Sequence, residues 1–305
     1  MNNIRSEFDI DKDGNSEYFQ SIAPYIYQTV DVFSLLRDYL VRRIDANIEN
    51  SEYIKSVAPI VRYIGERCQA FTMLMQYGYL WDADIVMRCV MEASIRIGYL
   101  SYTEEAERKN RANEYWESLS EINRLRQSDR AKLAVQTLDE KNLNLGLGPI
   151  ILSPKEEAQL RDKWSSQKRH DIEQKWSFTR IIASLEQHMV KTTGSSAIKS
   201  ALWVYGLSSH LIHADETAIR VTQDRTERPK PEREKMIFAH AARLLSDEIS
   251  YIIFVSSAVT YALGESHNEL RALMNKTKPL FVQLNSLNDA FYDYIVGDGT
   301  FSEAT

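Results

Sequence analysis

Apolar residues recur every three or four positions along most of this chain, which is the period of an amphipathic α-helix. The stripe Ile22, Ile26, Val30, Phe33, Leu36, Leu40, Ile44 and Ile48 predicts a first helix over about 17–48. A second stripe, Ile54, Val57, Val61, Ile64, Cys68, Phe71 and Met75, predicts another over about 52–79. The third segment, from near Trp81 to Tyr102, is apolar almost all round, and a helix of that kind is buried. A charge-rich fourth helix follows to about Asp129, with Thr103 expected as its N-cap ahead of Glu104 and Glu105.

The stretch Asp139 to Leu152 reads as a loop. Beyond it, Ser153-Pro154-Lys155-Glu156 is a helix start: serine caps, proline occupies the first turn, and Glu156 closes a capping box. Short helices are expected near 177–190 and a longer one over about 196–222, followed by a polar linker, Asp224 to Glu232. Two long antiparallel helices, about 233–263 and 267–296, end the chain. In the last, Leu270, Leu273, Thr277, Leu280, Leu284, Leu287, Phe291 and Tyr294 form a heptad-like seam, which Pro279 is expected to kink. The fold class expected is therefore all-α, a multi-helix bundle of about eight to ten helices. It would form one domain over 17–297, with loops near 139–152 and 223–232, between polar tails at 1–16 and 298–305.

Only 11 Gly and 7 Pro occur in 305 residues, which suits long helices with few turns. The net charge of −6 argues against a surface that binds nucleic acid as a whole, although a local basic groove stays open. The N-terminus carries no apolar signal core, and the longest uncharged stretch, Ile249 to Gly264, is short of the roughly 20 residues that span a bilayer. A cytoplasmic protein without a membrane segment is the expectation. Cys68 and Cys89 sit at apolar helical positions and are expected as free, buried thiols.

Two segments place polar groups where a core should be. On the third helix Arg88, Glu92 and Arg96 share one strip, because residues four apart are neighbours. Buried charge needs a partner, so the strip is either a structural Arg–Glu network or the lining of a cleft. Downstream, Tyr205, Ser209 and His213 share a face in a stretch where Lys199 is the sole charged side chain between Ala197 and Ala214. That helix is expected to be largely buried, and a neutral imidazole in it is either a satisfied core histidine or a general base.

Arg88-x-x-x-Glu92-Ala93 on a buried helix, followed by Tyr205-x-x-x-Ser209-x-x-x-His213, resembles a family of uncharacterised bacterial all-helical proteins. That family is loosely grouped with the HEPN-like helical domains of toxin and antiphage defence systems. The resemblance spans about 60–270 and implies that Arg88, Glu92, Ser209 and His213 converge in one polar site between helices. It implies a protein of a defence or toxin-type system that binds a partner or ligand there. An alternative from the same resemblance is a metal-independent endoribonuclease, with RNA as partner and either His213 or the pair Arg233 and His240 at the phosphate. Arg233 and His240 have the six-residue separation found in such enzymes, a spacing that chance also supplies in a chain with this many arginines. A third alternative is an assembly protein without a pocket, and a homodimer through the C-terminal seam is expected.

No cofactor and no metal is expected. His210, His213 and Glu216 could offer ligands from one face, but no Glu-x-x-His pair occurs. His170-Asp171 lacks the earlier histidine of a metal-dependent phosphohydrolase. Asp9, Asp11, Asp13 and Glu17 match the front of a calcium loop, yet Gln20 stands where a bidentate glutamate belongs, so a polar tail is the reading there. Phosphate loops and nucleophile elbows are missing.

Overall fold

The computed structural model describes residues 17–136, 146–194 and 196–297, with side chains from Gln20 to Asp289. The tails, the acidic stretch at 9–13 and the first part of the expected loop at 139–152 lie outside the described residues. No strand occurs among the described residues, and the fold is all-α.

Three long helices open the chain: α1 (Glu17–Asn47), α2 (Glu52–Gln76) and α3 (Leu80–Ser101). Next, α4 (Glu105–Asn113) runs through one π-helical turn, Glu114–Ser118, into α5 (Leu119–Val135). Four shorter helices follow, α6 (Pro154–Lys163), α7 (Ser166–Lys175), α8 (Phe178–Thr193) and α9 (Ser200–His213), and then α10 (Glu216–Glu227). Two long ones, α11 (Lys230–Ala262) and α12 (Asn268–Gly297), finish it. With α4 and α5 counted as one rod, eleven helices stand among the described residues, slightly more than the eight to ten expected.

The surplus has a local cause. The helix expected over 196–222 is two, because Ala214 turns left-handed with φ of 48° and Asp215 starts a new helix by accepting from the Ala218 N–H at 3.2 Å. The stretch expected as a linker, 224–232, is mostly helix as well: α10 runs to Glu227 and α11 begins at Lys230. Arg228 and Pro229 alone separate them, with Pro229 at the N-cap and Pro231 in the first turn. The start of α6 follows the expectation in full. Ser153 accepts from the Glu156 N–H while Glu156 reaches back to the Ser153 N–H. The fourth helix is capped at Glu104, not at Thr103, and without a side-chain hydrogen bond.

Helix α3 is the spine. It packs on α2 along one side and on α11 along the other, and α8 and α9 cover what remains. That sandwiching is why its sequence is apolar almost all round: Ala83, Met87, Val90, Met91, Ile95, Ile97 and Leu100 are all buried. Helices α3 and α11 run in the same direction, since Asp84 meets Arg243 at one end and Tyr102 bonds Ser257 at the other. Between these points they come close at Gly98, where an added Cβ would sit 2.4 Å from the Phe254 ring. A single guanidinium, Arg108, closes both helix ends by donating to the carbonyls of Thr103 and Ala262 at 3.0 Å each.

At the far end of α11, Gly264 (φ 67°) donates to the Tyr261 carbonyl and Glu265 to that of Thr260, a Schellman ending that turns the chain back into α12. Part of the α12 seam finds its cover within the chain. Leu270, Leu280 and Leu284 are buried where α12 lies against α1 and α11.

The Gly98 approach is open to a direct test. Gly98→Val should destabilise the protein by about 1–3 kcal/mol through overpacking against Phe254, with partial recovery in Gly98→Val/Phe254→Leu. Urea denaturation of the two variants and the parent measures both effects.

Candidate functional site

A buried carboxylate, carried by α3 one turn ahead of Arg88, gathers polar groups from several helices. Asp84 is 1% exposed, and donors from two other helices converge on it. His240 Nε2 lies 2.9 Å from Oδ2, and Arg243 forms an ion pair with the same oxygen. Ser208 Oγ stands 3.2 Å from Oδ1 and 2.8 Å from the Val204 carbonyl, so its one proton is divided between two acceptors. His240 and Arg243 are a turn apart on α11, while Ser208 belongs to α9. A fourth helix joins through Arg225 of α10, which is 3% exposed, hydrogen-bonds His240 Nδ1 at 2.6 Å and lies 3.9 Å over the Trp81 ring.

This geometry fixes the protonation of His240. A guanidinium has only protons to give, so Nδ1 must accept and the ring proton must sit on Nε2, facing Asp84. The neutral form is also the one that burial demands: desolvation pulls the His240 pKa down to about 4, against the opposing pull of Asp84. Burial alone would raise the Asp84 carboxyl, but the His240 hydrogen bond and the Arg243 charge outweigh it and hold it below the usual range. Arg243 also pairs with Asp247 at 3.0 Å, where burial prevails and pushes the carboxyl up to about 6. Both nitrogens of His240 are engaged, so it has no lone pair with which to take a proton from a substrate. The cluster acts as a clamp between α3, α9, α10 and α11.

One more turn along α3 the polar strip opens onto the surface. Arg88 Nε donates to Glu92 at 3.0 Å, and Arg96 donates to the other oxygen of that carboxylate at 3.2 Å. The Arg88 guanidinium lies 4.0 Å over the Tyr205 ring, and Tyr205 stacks on Phe178 at 4.2 Å. Arg88 Nη1 is buried, with no hydrogen-bond partner among the described residues. Arg88, Glu92 and Arg96 line a groove of about 390 Å³ whose other walls include Ile60 and Tyr63 of α2, Ile212 of α9, and Tyr115 and Trp116.

The last two residues reach the groove through the π turn, whose extra residue rotates the following side chains relative to a regular α-helix. The turn is held from both sides. Trp116 Nε1 donates to the Ser56 carbonyl at 3.0 Å, and Glu114 accepts from Lys175 at 2.8 Å and from Trp176 at 3.0 Å. A second lobe of about 610 Å³ continues the groove along α5, sharing Arg96, Tyr115 and Trp116 and adding Arg124 and Arg126.

Of the residues expected from sequence, Arg88 and Glu92 stand side by side in the groove wall as their shared strip suggests, and Tyr205 of α9 lies against Arg88. Ser209 is half-buried and His213 exposed, and neither lines the groove. The expectation of a largely buried α9 needs correction: Ala201 and Ser208 are its buried residues, and Trp203 is 80% exposed. The imidazole that does lie inside is His240, beside Arg225 and Arg243. Arg233 instead donates to the Thr226 carbonyl at 3.3 Å on the surface. Cys68 is buried as expected, whereas Cys89 is half-exposed in the groove wall. Among the described residues no group of three or more His, Cys, Asp or Glu gathers as a metal cluster, and no helix is long and apolar enough to cross a membrane.

Asp84 was legible in principle, four residues before Arg88 on the same strip. So were His240, Arg243 and Asp247, spaced three and four apart on the mostly apolar run that begins at Met236. Arg225 gave no such signal, being one arginine among several in a polar stretch.

Glu248, next to this cluster in sequence, is buried against α2 beside Cys68, and desolvation raises its pKa to about 8. A carboxyl raised in the folded state binds a proton that the unfolded chain has lost, so stability falls as pH rises between the two values. The slope over pH 6.5–8 should reach up to about 1.4 kcal/mol per pH unit and flatten in Glu248→Gln, as read by urea unfolding across that range. Asp84→Asn takes one of two carboxylate partners from the half-buried Arg243 and the charged acceptor from His240, and should cost about 1–3 kcal/mol in the same measurement.

No curated protein and no solved structure matches this chain. Residues 57–228, from α2 through α10, match a family of unknown function, DUF5677. The matched segment carries Asp84, Arg88, Glu92, Arg96, Tyr115, Trp116, Ser208 and Arg225, while His240 and Arg243 lie beyond it. The match covers more than half of the 305 residues, and the chain belongs to the DUF5677 family.

Proposed function

We propose that this protein binds a small organic anion in the groove between α2, α3 and the π turn. The observation that carries the reading is the Arg88 guanidinium in the groove wall. It is held flat on Tyr205 and by Glu92, while its Nη1 is buried with no acceptor among the described residues. With Nη1 shut off from solvent, an anion in the groove would meet the charge of Arg88 and the partly exposed guanidinium of Arg96 beside it. Around it the walls are mostly apolar and aromatic with a few convergent charges, the usual make-up of a small-molecule site, and about 390 Å³ lies within the range of such sites. Among the described residues no histidine lines the groove, and binding, not phosphodiester cleavage, is the reading that the geometry favours.

Arg96 is the residue to change, because it is partly exposed and its pairing with Glu92 adds little to stability. A panel of aromatic carboxylates and organic phosphates should include compounds that raise Tm. Arg96→Gln should abolish that rise while moving the unliganded Tm by little. A panel without any stabilising compound, or stabilisation that survives both Arg96→Gln and Trp116→Ala, refutes the proposal.

A further inference from the structure

Resting on that reading, we infer that the ligand is a nucleoside triphosphate, its base in the lobe between α2 and α3 and its phosphates in the lobe along α5. The two lobes differ in chemistry and meet at Arg96. The first is walled by Ile60, Tyr63 and Trp116, flat or apolar surfaces on which a heterocycle stacks. Glu92 stands in that lobe with its oxygens held by Arg88 and Arg96, and each keeps a lone pair for an amino or hydroxyl group of the ligand. The second lobe presents Arg96, Arg124 and Arg126 with the short polar side chains Ser120, Asn123 and Gln127. Guanidinium groups recognise phosphate oxygens in pairs, and three of them suit a multiply charged chain better than a single carboxylate.

The charges support this division. Across both lobes Arg88, Arg96, Arg124 and Arg126 stand against Glu92 and Glu173, on a protein whose net charge is −6. Arg124 pairs with Glu156 at 3.5 Å on the surface, where such a pair exchanges readily for a phosphate, while Arg126 is half-exposed and pairs with the more covered Glu173. A polynucleotide would have to leave these four arginines for a surface that is negative overall, which disfavours it against a ligand that ends within the groove.

The test is an equilibrium titration of the full-length protein with ATP, GTP, adenosine, inorganic tripolyphosphate and a ten-nucleotide single-stranded RNA, read by calorimetry. At least one nucleoside triphosphate should bind about tenfold or more tighter than adenosine or tripolyphosphate. Arg124→Ala/Arg126→Ala should weaken triphosphate binding about tenfold and leave adenosine unchanged, whereas Trp116→Ala should weaken both. Circular dichroism and Tm of each variant check that these surface changes leave the fold intact. The inference is overturned if tripolyphosphate binds as tightly as the nucleotides, if the RNA binds far tighter than any of them, or if the variants change nothing. Should no nucleotide bind while a compound from the carboxylate panel still does so through Arg96, the nucleotide assignment fails and the anion groove stands. If neither binds, both fail.

Discussion

The carboxylate of Asp84 is removed from water in the middle of an apolar bundle, and four helices are arranged around meeting its needs. Taking an isolated carboxylate out of water costs several kcal/mol, so the site is tenable only with donors on every side. Those donors come from far along the chain, Ser208 more than a hundred residues away and His240 and Arg243 farther still. Each must lie within hydrogen-bond reach at the same time, and that condition sets the registry of α9, α10 and α11 on α3. Apolar packing, which is non-directional, would tolerate a slide of one turn. The clamp does not.

The polar strip of α3 then divides into two functions by depth. At Asp84 every partner is protein, both nitrogens of the neighbouring imidazole are occupied, and the result is structural. One and three turns on, at Arg88 and Arg96, the strip reaches the edge of α9 and the π turn, where the covering helices part. The same helix thus carries a closed network that fixes its neighbours and an open one that faces a groove. Gly98 lies beyond both, and its missing side chain lets Phe254 of α11 close against the spine.

The groove owes its aromatic wall to a backbone irregularity. In an unbroken α-helix from Glu105 to Val135 the side chains after Asn113 would point elsewhere. The π turn brings Tyr115 and Trp116 round to α2 and α3, and its bonds to Ser56, Lys175 and Trp176 hold it there. Such turns are rare and cost helix geometry, and their concentration at functional sites in proteins generally is the background to the binding role proposed for this one.

What this sequence determined by itself is the set of helices and the burial of α3, because the spacing of apolar side chains and the capping box at Ser153 act over a few residues. The pairing of Arg88 with Glu92 belongs to the same class, being a neighbour contact within one helix. Which distant residues meet was decided only in three dimensions. The buried imidazole is His240 and not His213, since α9 ends at the left-handed Ala214 and leaves its last turn in solvent, while α11 runs its polar edge along Asp84. Arg225 reads as one charge of a solvated linker until α10 folds back and stacks it on Trp81. Local periodicity carries no information about which helix faces which, and the π turn that completes the groove leaves no mark in a period-3.6 pattern.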